Sequence, residues 1–258
     1  MIGSGIELNV NGGLVSDFRA STGSEVNLNS GTIEGNLELR ADSQANFNGG
    51  SFRGEILAES GSQINVNGGD FGGIFGFAFP TSDTVEVNVT GGNINGMFGG
   101  DIDANISGGS FTSLLFAVAE TANANISGGN FSGIEIFDIS GTANLSGGTF
   151  DGIELFSLND DGELNLVGSD FFLNGVALND LTPGEATLIS DRDVILSGLL
   201  SDGSPFEFDL NTTPGLRQPQ IFSPNARLTV SLAAVPEPTS SVILSLAGLM
   251  ALCSRRRN

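Results

Sequence analysis

The chain has 258 residues, 38 of them Gly and 19 of them Phe, with no Trp, Tyr or His and a net charge of −21. So acidic a chain repels phosphate, which excludes nucleic acid as a partner and favours cations or cationic partners. The single cysteine, Cys253, excludes an intramolecular disulfide framework.

Nine segments repeat one pattern, in which an asparagine stands between two apolar residues. The nine reference asparagines are Asn9, Asn27, Asn46, Asn65, Asn88, Asn105, Asn125, Asn144 and Asn165. A glycine pair or its Ser-Gly or Gly-Ser variant follows each one, and a large apolar residue stands six positions after it: Val15, Ile33, Phe52, Phe71, Ile94, Phe111, Phe131, Phe150 and Phe171. A unit of about 19 residues cannot bury its apolar side alone, so the period predicts stacked coils of a solenoid.

The local pattern predicts β structure in each coil. Apolar residues on both sides of a polar one have period 2, which is typical of a short strand with the asparagine pointing outward. The glycines permit a tight corner, and a further strand such as Glu55 to Ala58 or Ile134 to Phe137 completes the circuit. We therefore predict an all-β protein, a parallel β-helix of about nine coils over residues 1–173, with a phenylalanine column in its core.

The outward asparagines have two interpretations. Stacked amides hydrogen-bond from coil to coil, which is a structural role. The functional alternative is a flat polar face, suited to carbohydrate or ice, that they form with the residues two positions later: Asn11, Asn29, Asn48, Asn67, Thr90, Ser107, Ser127 and Ser146. A regular calcium ladder is excluded, because the fourth position of the Gly-Gly-x-Gly-x-Asp pattern is Val, Ile or Phe in this chain.

Two glutamates form the one candidate metal site. Glu135 and Glu154 lie ten residues after their reference asparagines, so adjacent coils would bring them about 4.8 Å apart. Such a pair is either solvated or shares a cation. The Asp pairs at 101/103, 160/161 and 191/193 fall in predicted corners, where Asp is common. No arrangement of residues predicts a catalytic site or a cofactor, beyond an isolated divalent cation.

The repeats fade after residue 173. Residues 174–232 still show strand patterns, such as Asp193 to Leu200 and Ala226 to Leu232, between turn signals. Because an open solenoid end exposes unpaired strand groups, we predict that this segment caps it. The alternative is an appended β module.

The tail, residues 233–258, has three parts in a fixed order. Pro236, Glu237 and Pro238 come first, an apolar run from Val242 to Cys253 follows, and Arg255, Arg256 and Arg257 end it. These parts resemble the PEP-CTERM sorting signal of exported bacterial proteins, which a membrane-embedded exosortase recognises. The resemblance covers the tail alone and implies export, membrane insertion and cleavage near the Pro-Glu-Pro motif.

The physics of the tail agrees with that resemblance. The run of twelve residues would form a helix of roughly 18 Å, shorter than the ~30 Å hydrocarbon core. The arginines would hold its end at the cytoplasmic side. An ordinary single-pass anchor is the alternative. Met1 lies only a few residues before the first repeat with no signal peptide, so we expect a gene start that omits an export signal and some first coils.

These patterns predict a non-enzymatic, exported β-solenoid that acts as a structural or adhesive component of the cell surface or extracellular matrix. The expected partners are an exosortase-type enzyme, the membrane and extracellular polysaccharide. The alternative function is a polysaccharide-binding or polysaccharide-processing β-helix.

Overall fold

A computed structural model describes residues 3–72, 75–76, 85–96, 98–112, 115–131, 133–150, 153, 155–213 and 220–233. Within these ranges the chain forms 27 β-strands and no helix. The prediction of an all-β solenoid is therefore confirmed.

The strands are short, and most have between two and five residues. The first nine in chain order are β1 (Glu7–Val15), β2 (Phe18–Ala20), β3 (Glu25–Ile33), β4 (Leu37–Leu39), β5 (Gln44–Phe47), β6 (Ser51–Phe52), β7 (Ile56–Ala58), β8 (Gln63–Val66) and β9 (Asp70–Phe71). The next eleven are β10 (Phe75–Gly76), β11 (Val85–Val89), β12 (Asn93–Ile94), β13 (Phe98–Gly100), β14 (Ile102–Ile106), β15 (Ser110–Phe111), β16 (Leu115–Val118), β17 (Asn123–Asn130), β18 (Ile136–Ile139), β19 (Thr142–Thr149) and β20 (Leu155–Leu158). The last seven are β21 (Glu163–Leu173), β22 (Val176–Ala177), β23 (Thr187–Leu188), β24 (Ile195–Leu200), β25 (Pro205–Asp209), β26 (Gln220–Phe222) and β27 (Arg227–Leu232).

One long parallel sheet carries the reference asparagines. It contains β1, β3, β5, β8, β11, β14, β17, β19 and β21. Each reference asparagine lies opposite the next, from the Asn9–Asn27 pair to the Asn144–Asn165 pair. The apolar neighbours of these asparagines point inward, as Ile64 and Val66 show with no exposed surface. The predicted register is confirmed along the whole sheet.

Two smaller parallel sheets complete the coils. The first contains β2, β4 and β7, and the second contains β10, β13, β16, β18, β20 and β26. The short strands β6, β9, β12 and β15 follow the glycine corners and pair in parallel with one another. The core lies between the sheets and extends along the axis of the stack.

The glycine pairs have a steric cause at the corners. Gly129 has φ of +106°, a backbone conformation that residues with a side chain rarely adopt. At the preceding position a Cβ on Gly128 would lie 2.5 Å from the carbonyl oxygen of Ser107 in the coil below. One glycine thus provides the turn and the other allows the coils to approach closely.

Phenylalanines form two files along the core. The predicted file contains Phe52, Phe71, Phe111, Phe131 and Phe150, of which all but the half-buried Phe150 are fully buried. Ile94 interrupts it between Phe71 and Phe111. A second file, which the repeat pattern did not predict, contains Phe98, Phe116, Phe137, Phe156 and Phe222, with successive centroids 4.6 to 5.6 Å apart. The files meet edge to face, an arrangement that aromatic quadrupoles favour.

The C-terminal β segment, residues 174–232, combines two kinds of pairing. Strands β24 and β25 form an antiparallel hairpin beside the end of β21. The strands β26 and β27 return to the solenoid and pair in parallel with β20 and β21. Strand β23 then pairs antiparallel with β27 along its outer edge.

The solenoid has about seven turns, fewer than the nine expected. The repeat pattern counts one coil for each reference asparagine, including Asn9 on β1 and Asn165 on β21 at the two ends. However, β1 pairs only with β3 among the described residues, and β21 leaves the coil path beyond Gly168 to pair with β24. The expected tail helix lies outside the described residues, and the described part of the chain has no helix long and apolar enough to cross a membrane.

Candidate functional site

The outward side chains of the long sheet form a flat polar surface, which we call the asparagine face. It has three columns that run along the solenoid axis. The central column contains the nine reference asparagines and Thr229, which lies opposite Asn165. The corner column lies two residues later in each strand and contains the eight residues from Asn11 to Ser146 named above. The leading column lies two residues earlier and contains Glu7, Glu25, Gln44, Gln63, Glu86, Asp103, Asn123, Thr142, Glu163 and Arg227.

The central column is a continuous amide ladder with one direction. From Asn46 to Asn165, each side-chain Nδ2 donates to the Oδ1 of the preceding coil, over 2.8 to 3.1 Å. At the N-terminal end, Asn9 and Asn27 both donate to the Glu7 carboxylate. At the other end, the buried Thr229 hydroxyl donates to Asn165 Oδ1. Each end of the ladder therefore meets a group with the complementary hydrogen-bonding role.

The corner column changes its bonding partway along the stack. Asn29, Asn48 and Asn67 each donate to the preceding amide, and the Thr90 hydroxyl donates to Asn67, all over 2.9 to 3.0 Å. Farther along, the hydroxyls of Ser127 and Ser146 donate to backbone carbonyls instead. The surface thus shifts from amides to hydroxyls toward the C-terminal coils.

The leading column carries most of the charge of the face. Glu86 lies directly opposite Asp103, which places two carboxylates on neighbouring strands. Amide donors bond both: Gln63 donates to Glu86 over 3.0 Å, and Asn123 donates to Asp103 over 2.8 Å. These amides offset part of the repulsion that like charges exert at this spacing.

Two shallow grooves flank the central column. The first, of about 590 Å³, lies on the side of the leading column and includes Glu86, Asp103 and Asn123. The second, of about 510 Å³, lies on the side of the corner column and includes Thr90 and Ser127. Three central residues line both grooves and form the ridge between them: Asn105, Asn125 and Asn144.

The face offers hydrogen bonds at a regular spacing. A side-chain amide has two N–H donors and two acceptor lone pairs, and the ladder uses one of each. At Asn46, Asn65 and Asn88 the side chain also donates to the leading column. At Asn105, Asn125 and Asn144 the second donor and acceptor face solvent or a ligand, one set per coil, about 4.8 Å apart along the axis. An extended ligand with many hydroxyls matches such an array better than a compact charged one.

The residues predicted as sites lie mostly outside the described part. Glu154, the sorting motif Pro236 to Pro238 and the flank Arg255 to Arg257 are all outside it. Glu135 is exposed, and its carbonyl accepts a 2.8 Å hydrogen bond from the amide of Leu155 in the next coil. Within the described ranges, no group of three or more His, Cys, Asp or Glu side chains is placed to hold a metal ion.

The corner aspartates bond to neighbouring segments. Asp101 accepts from the Thr121 hydroxyl over 2.7 Å, and Asp193 accepts from the backbone amide of Thr212 over 3.0 Å. Asp160 accepts from the Ser223 hydroxyl. Asp101 and Asp160 thus join adjacent coils, and Asp193 joins two parts of the C-terminal β segment, as Asp commonly does in turns.

A charge network on the first coils was not identified from the sequence. Arg19 bonds Glu38 across neighbouring strands, and Arg40 bridges Glu38 and Glu59. The hydrogen bond from Arg19 lowers the pKa of Glu38 below its ordinary value, while Glu38 raises the pKa of Arg19. Arg19 and Arg40 thus meet at Glu38, because the 19 residues from Arg19 to Glu38 correspond to one coil.

Comparison of the chain with protein-family models, with curated proteins and with solved structures found no match in any of the three. Function must therefore be argued from the residues and their geometry.

Proposed function

We propose that this protein is an exported, non-enzymatic structural or adhesive component of a bacterial cell surface or extracellular matrix. The observation that carries the proposal is the asparagine face, whose amide ladder extends from Asn27 to Asn165. In this proposal residues 174–232 cap the solenoid, and the tail, residues 233–258, directs an exosortase-type enzyme to the chain at the membrane.

A side-chain ladder of this kind suits a scaffold. Each amide from Asn46 to Asn165 bonds the amide of the preceding coil, so the face is held in one arrangement without a ligand. Nine strands at about 4.8 Å spacing extend it over roughly 38 Å. A rigid extended surface can make many weak contacts at once, which produces strong adhesion through multivalency.

Polysaccharide binding is the second candidate, and the two shallow grooves favour it. Their open form and amide lining suit an extended neutral chain that lies along the solenoid axis. Polysaccharide processing has less support. Glycoside hydrolysis uses two carboxyl groups that flank the scissile bond, whereas Glu86 and Asp103 lie side by side in the leading column.

The export proposal is tested by expressing the chain with a working signal peptide in a host that has an exosortase. We expect surface or extracellular protein whose intact mass lacks the residues from about Val242 onward. The matched control replaces Pro236, Glu237 and Pro238 with Ala and should stay uncleaved. Surface protein that keeps Arg255 to Asn258 would show a plain anchor, and protein retained in the cytoplasm would contradict export.

The choice between scaffold and polysaccharide binder is tested on the face itself. Ser127→Arg places a long side chain on the exposed corner column, and Ser4→Arg makes the same change at an exposed residue before β1. Loss of polysaccharide retention in Ser127→Arg alone would establish the second candidate. Cell adhesion that both variants keep, with no polysaccharide retained by the parent protein, would support a scaffold.

A further inference from the structure

A separate groove of about 590 Å³ lies on the C-terminal side of the solenoid, away from the asparagine face. We call it the end groove, and its lining includes Asp170, Phe172, Ser197, Leu199, Pro205 and Glu207. Strands β21, β24 and β25 form its floor, where Phe172 lies opposite Ser197 and Ser197 lies opposite Glu207. Its volume is typical of a site for a small ligand or a side chain.

Phe172 differs from the other phenylalanine side chains that the structure describes. Those others are buried in the core or packed against it, whereas Phe172 is only half-buried and belongs to neither group. Its neighbour Phe171 is 2% exposed and contacts the ring of Phe206. A ring that is only partly buried keeps apolar surface in water, so on the floor of a groove it offers that surface to a ligand.

The backbone beside Phe172 is irregular. Between Ser169 and Phe172, β21 has one more residue than the facing part of β24, which is a β-bulge. Asp170 lies within it and has φ of +52°, a left-handed conformation that is uncommon for a residue with a side chain. Bulges re-aim side chains and are frequent at functional sites. This one brings an exposed carboxylate to the rim of the groove.

The charged groups that line the groove are all negative. Asp170 and Glu207 are both exposed, and no Arg lines the groove among the described residues. The face of a phenylalanine ring is also electronegative. A cation above such a ring gains from the ring quadrupole as well as from the carboxylates.

We propose that the end groove binds an arginine side chain of a partner protein. A guanidinium is planar, stacks on aromatic faces and bonds carboxylates with two parallel donors, and its apolar stem fits against Leu199 and Pro205. Charge complementarity favours the same partner, since the whole chain has a net charge of −21. The inference does not depend on how the tail is processed.

The test is a titration of the full ¹⁵N-labelled chain with a short blocked peptide that contains arginine, followed by NMR. The control peptide has citrulline in place of arginine and so keeps the shape without the charge. We expect saturable shifts of the amides of Ser197 and Gly198 with the arginine peptide and no saturable shifts with the citrulline peptide. Equal binding of both peptides would overturn the proposal.

Three variants separate the groove from general attraction to an acidic surface. Phe172→Leu keeps the charge and removes the ring, and we expect binding to weaken roughly two- to fivefold, the range of an exposed cation–π contact. Glu207→Gln should weaken it by a similar factor. Glu185→Gln makes the same charge change at an exposed residue that does not line the groove, and should leave binding unchanged.

Two further results would contradict the inference. Equal weakening by Glu207→Gln and Glu185→Gln would mean that the peptide follows net charge alone. Saturable shifts of the same amides with a neutral oligosaccharide, and none with the arginine peptide, would assign the groove to a sugar. Because Glu207 is exposed, its Gln variant should fold normally even if Phe172→Leu does not.

Discussion

Replacing Phe131 with Ala is the sharpest test of how the solenoid is stabilised. The ring has no exposed surface and stacks between Phe111 and Phe150, with centroid distances of 4.5 and 5.0 Å. It also meets Phe116 and Phe137 of the second file edge to face. A buried Phe→Ala change costs about 3 to 5 kcal/mol, and each aromatic pair adds about 0.5 to 1.5 kcal/mol beyond its buried area. With four ring contacts, we expect a loss in the upper half of the first range.

The loss is measured by urea unfolding, with circular dichroism as the signal. The two proteins must have the same slope of unfolding free energy against urea concentration for the comparison to be valid. Because repeat proteins can unfold from one end, amide hydrogen exchange in the coils beside residue 131 provides a local measure. Phe131→Leu keeps most of the apolar area and should cost less than half as much. A loss below about 1 kcal/mol for Phe131→Ala would refute the proposed role of the aromatic files.

Three further predictions concern the corners, the ladder and the charge network. Gly108→Ala places a Cβ 2.3 Å from a backbone oxygen and should cost more than about 1 kcal/mol, whereas Gly72→Ala meets nothing within 4 Å and should stay within about 0.5 kcal/mol in the same urea assay. Asn125→Asp removes a ladder donor and places a carboxylate opposite the amide oxygen of Asn105. It should therefore lower the unfolding free energy by about 1 kcal/mol at pH 7. An unchanged unfolding free energy would contradict a stabilising role of the amide ladder. Because Arg19 lowers the pKa of Glu38, the ion pair stabilises the fold fully above the ordinary pKa of Glu. That stabilisation is lost as the pH falls through the lowered pKa of Glu38. Glu38→Gln should therefore remove the contribution of this pair to the pH dependence of the unfolding free energy, measured by acid unfolding.

The sequence was sufficient to predict the register of the long sheet. The reference asparagines recur with apolar neighbours on both sides, and a one-residue slip would turn those apolar residues outward. The second file of phenylalanines could not be found in the same way, because its distance from the asparagine varies. Phe98 follows Asn88 by ten residues, Phe116 follows Asn105 by eleven and Phe137 follows its asparagine by twelve. Corner lengths absorb these differences, so a fixed period does not reveal the file.

The candidate site was predicted in part for a similar reason. The central column repeats Asn and the corner column contains only Asn, Thr and Ser, so both stand out, whereas the leading column mixes Glu, Gln, Asp, Asn, Thr and Arg at equivalent positions. The network of Arg19 and Glu38 could have been found by applying the coil period to charges, since the two residues lie 19 positions apart. The end groove could not, because the bulge at Asp170 and the antiparallel hairpin have no counterpart in the repeats.

The direction of the amide ladder bears on what the solenoid can do. All its bonds point the same way, so the donor end is electropositive and meets the Glu7 carboxylate, while the acceptor end meets the Thr229 hydroxyl. A break in the middle would create a new donor end and a new acceptor end with no such partners, so neighbouring coils reinforce one another. The single Cys253 leaves no intramolecular disulfide to hold the coils together. The amide ladder and the aromatic files link neighbouring coils through their side chains instead, which favours a fixed extended surface over a site that must change shape to act.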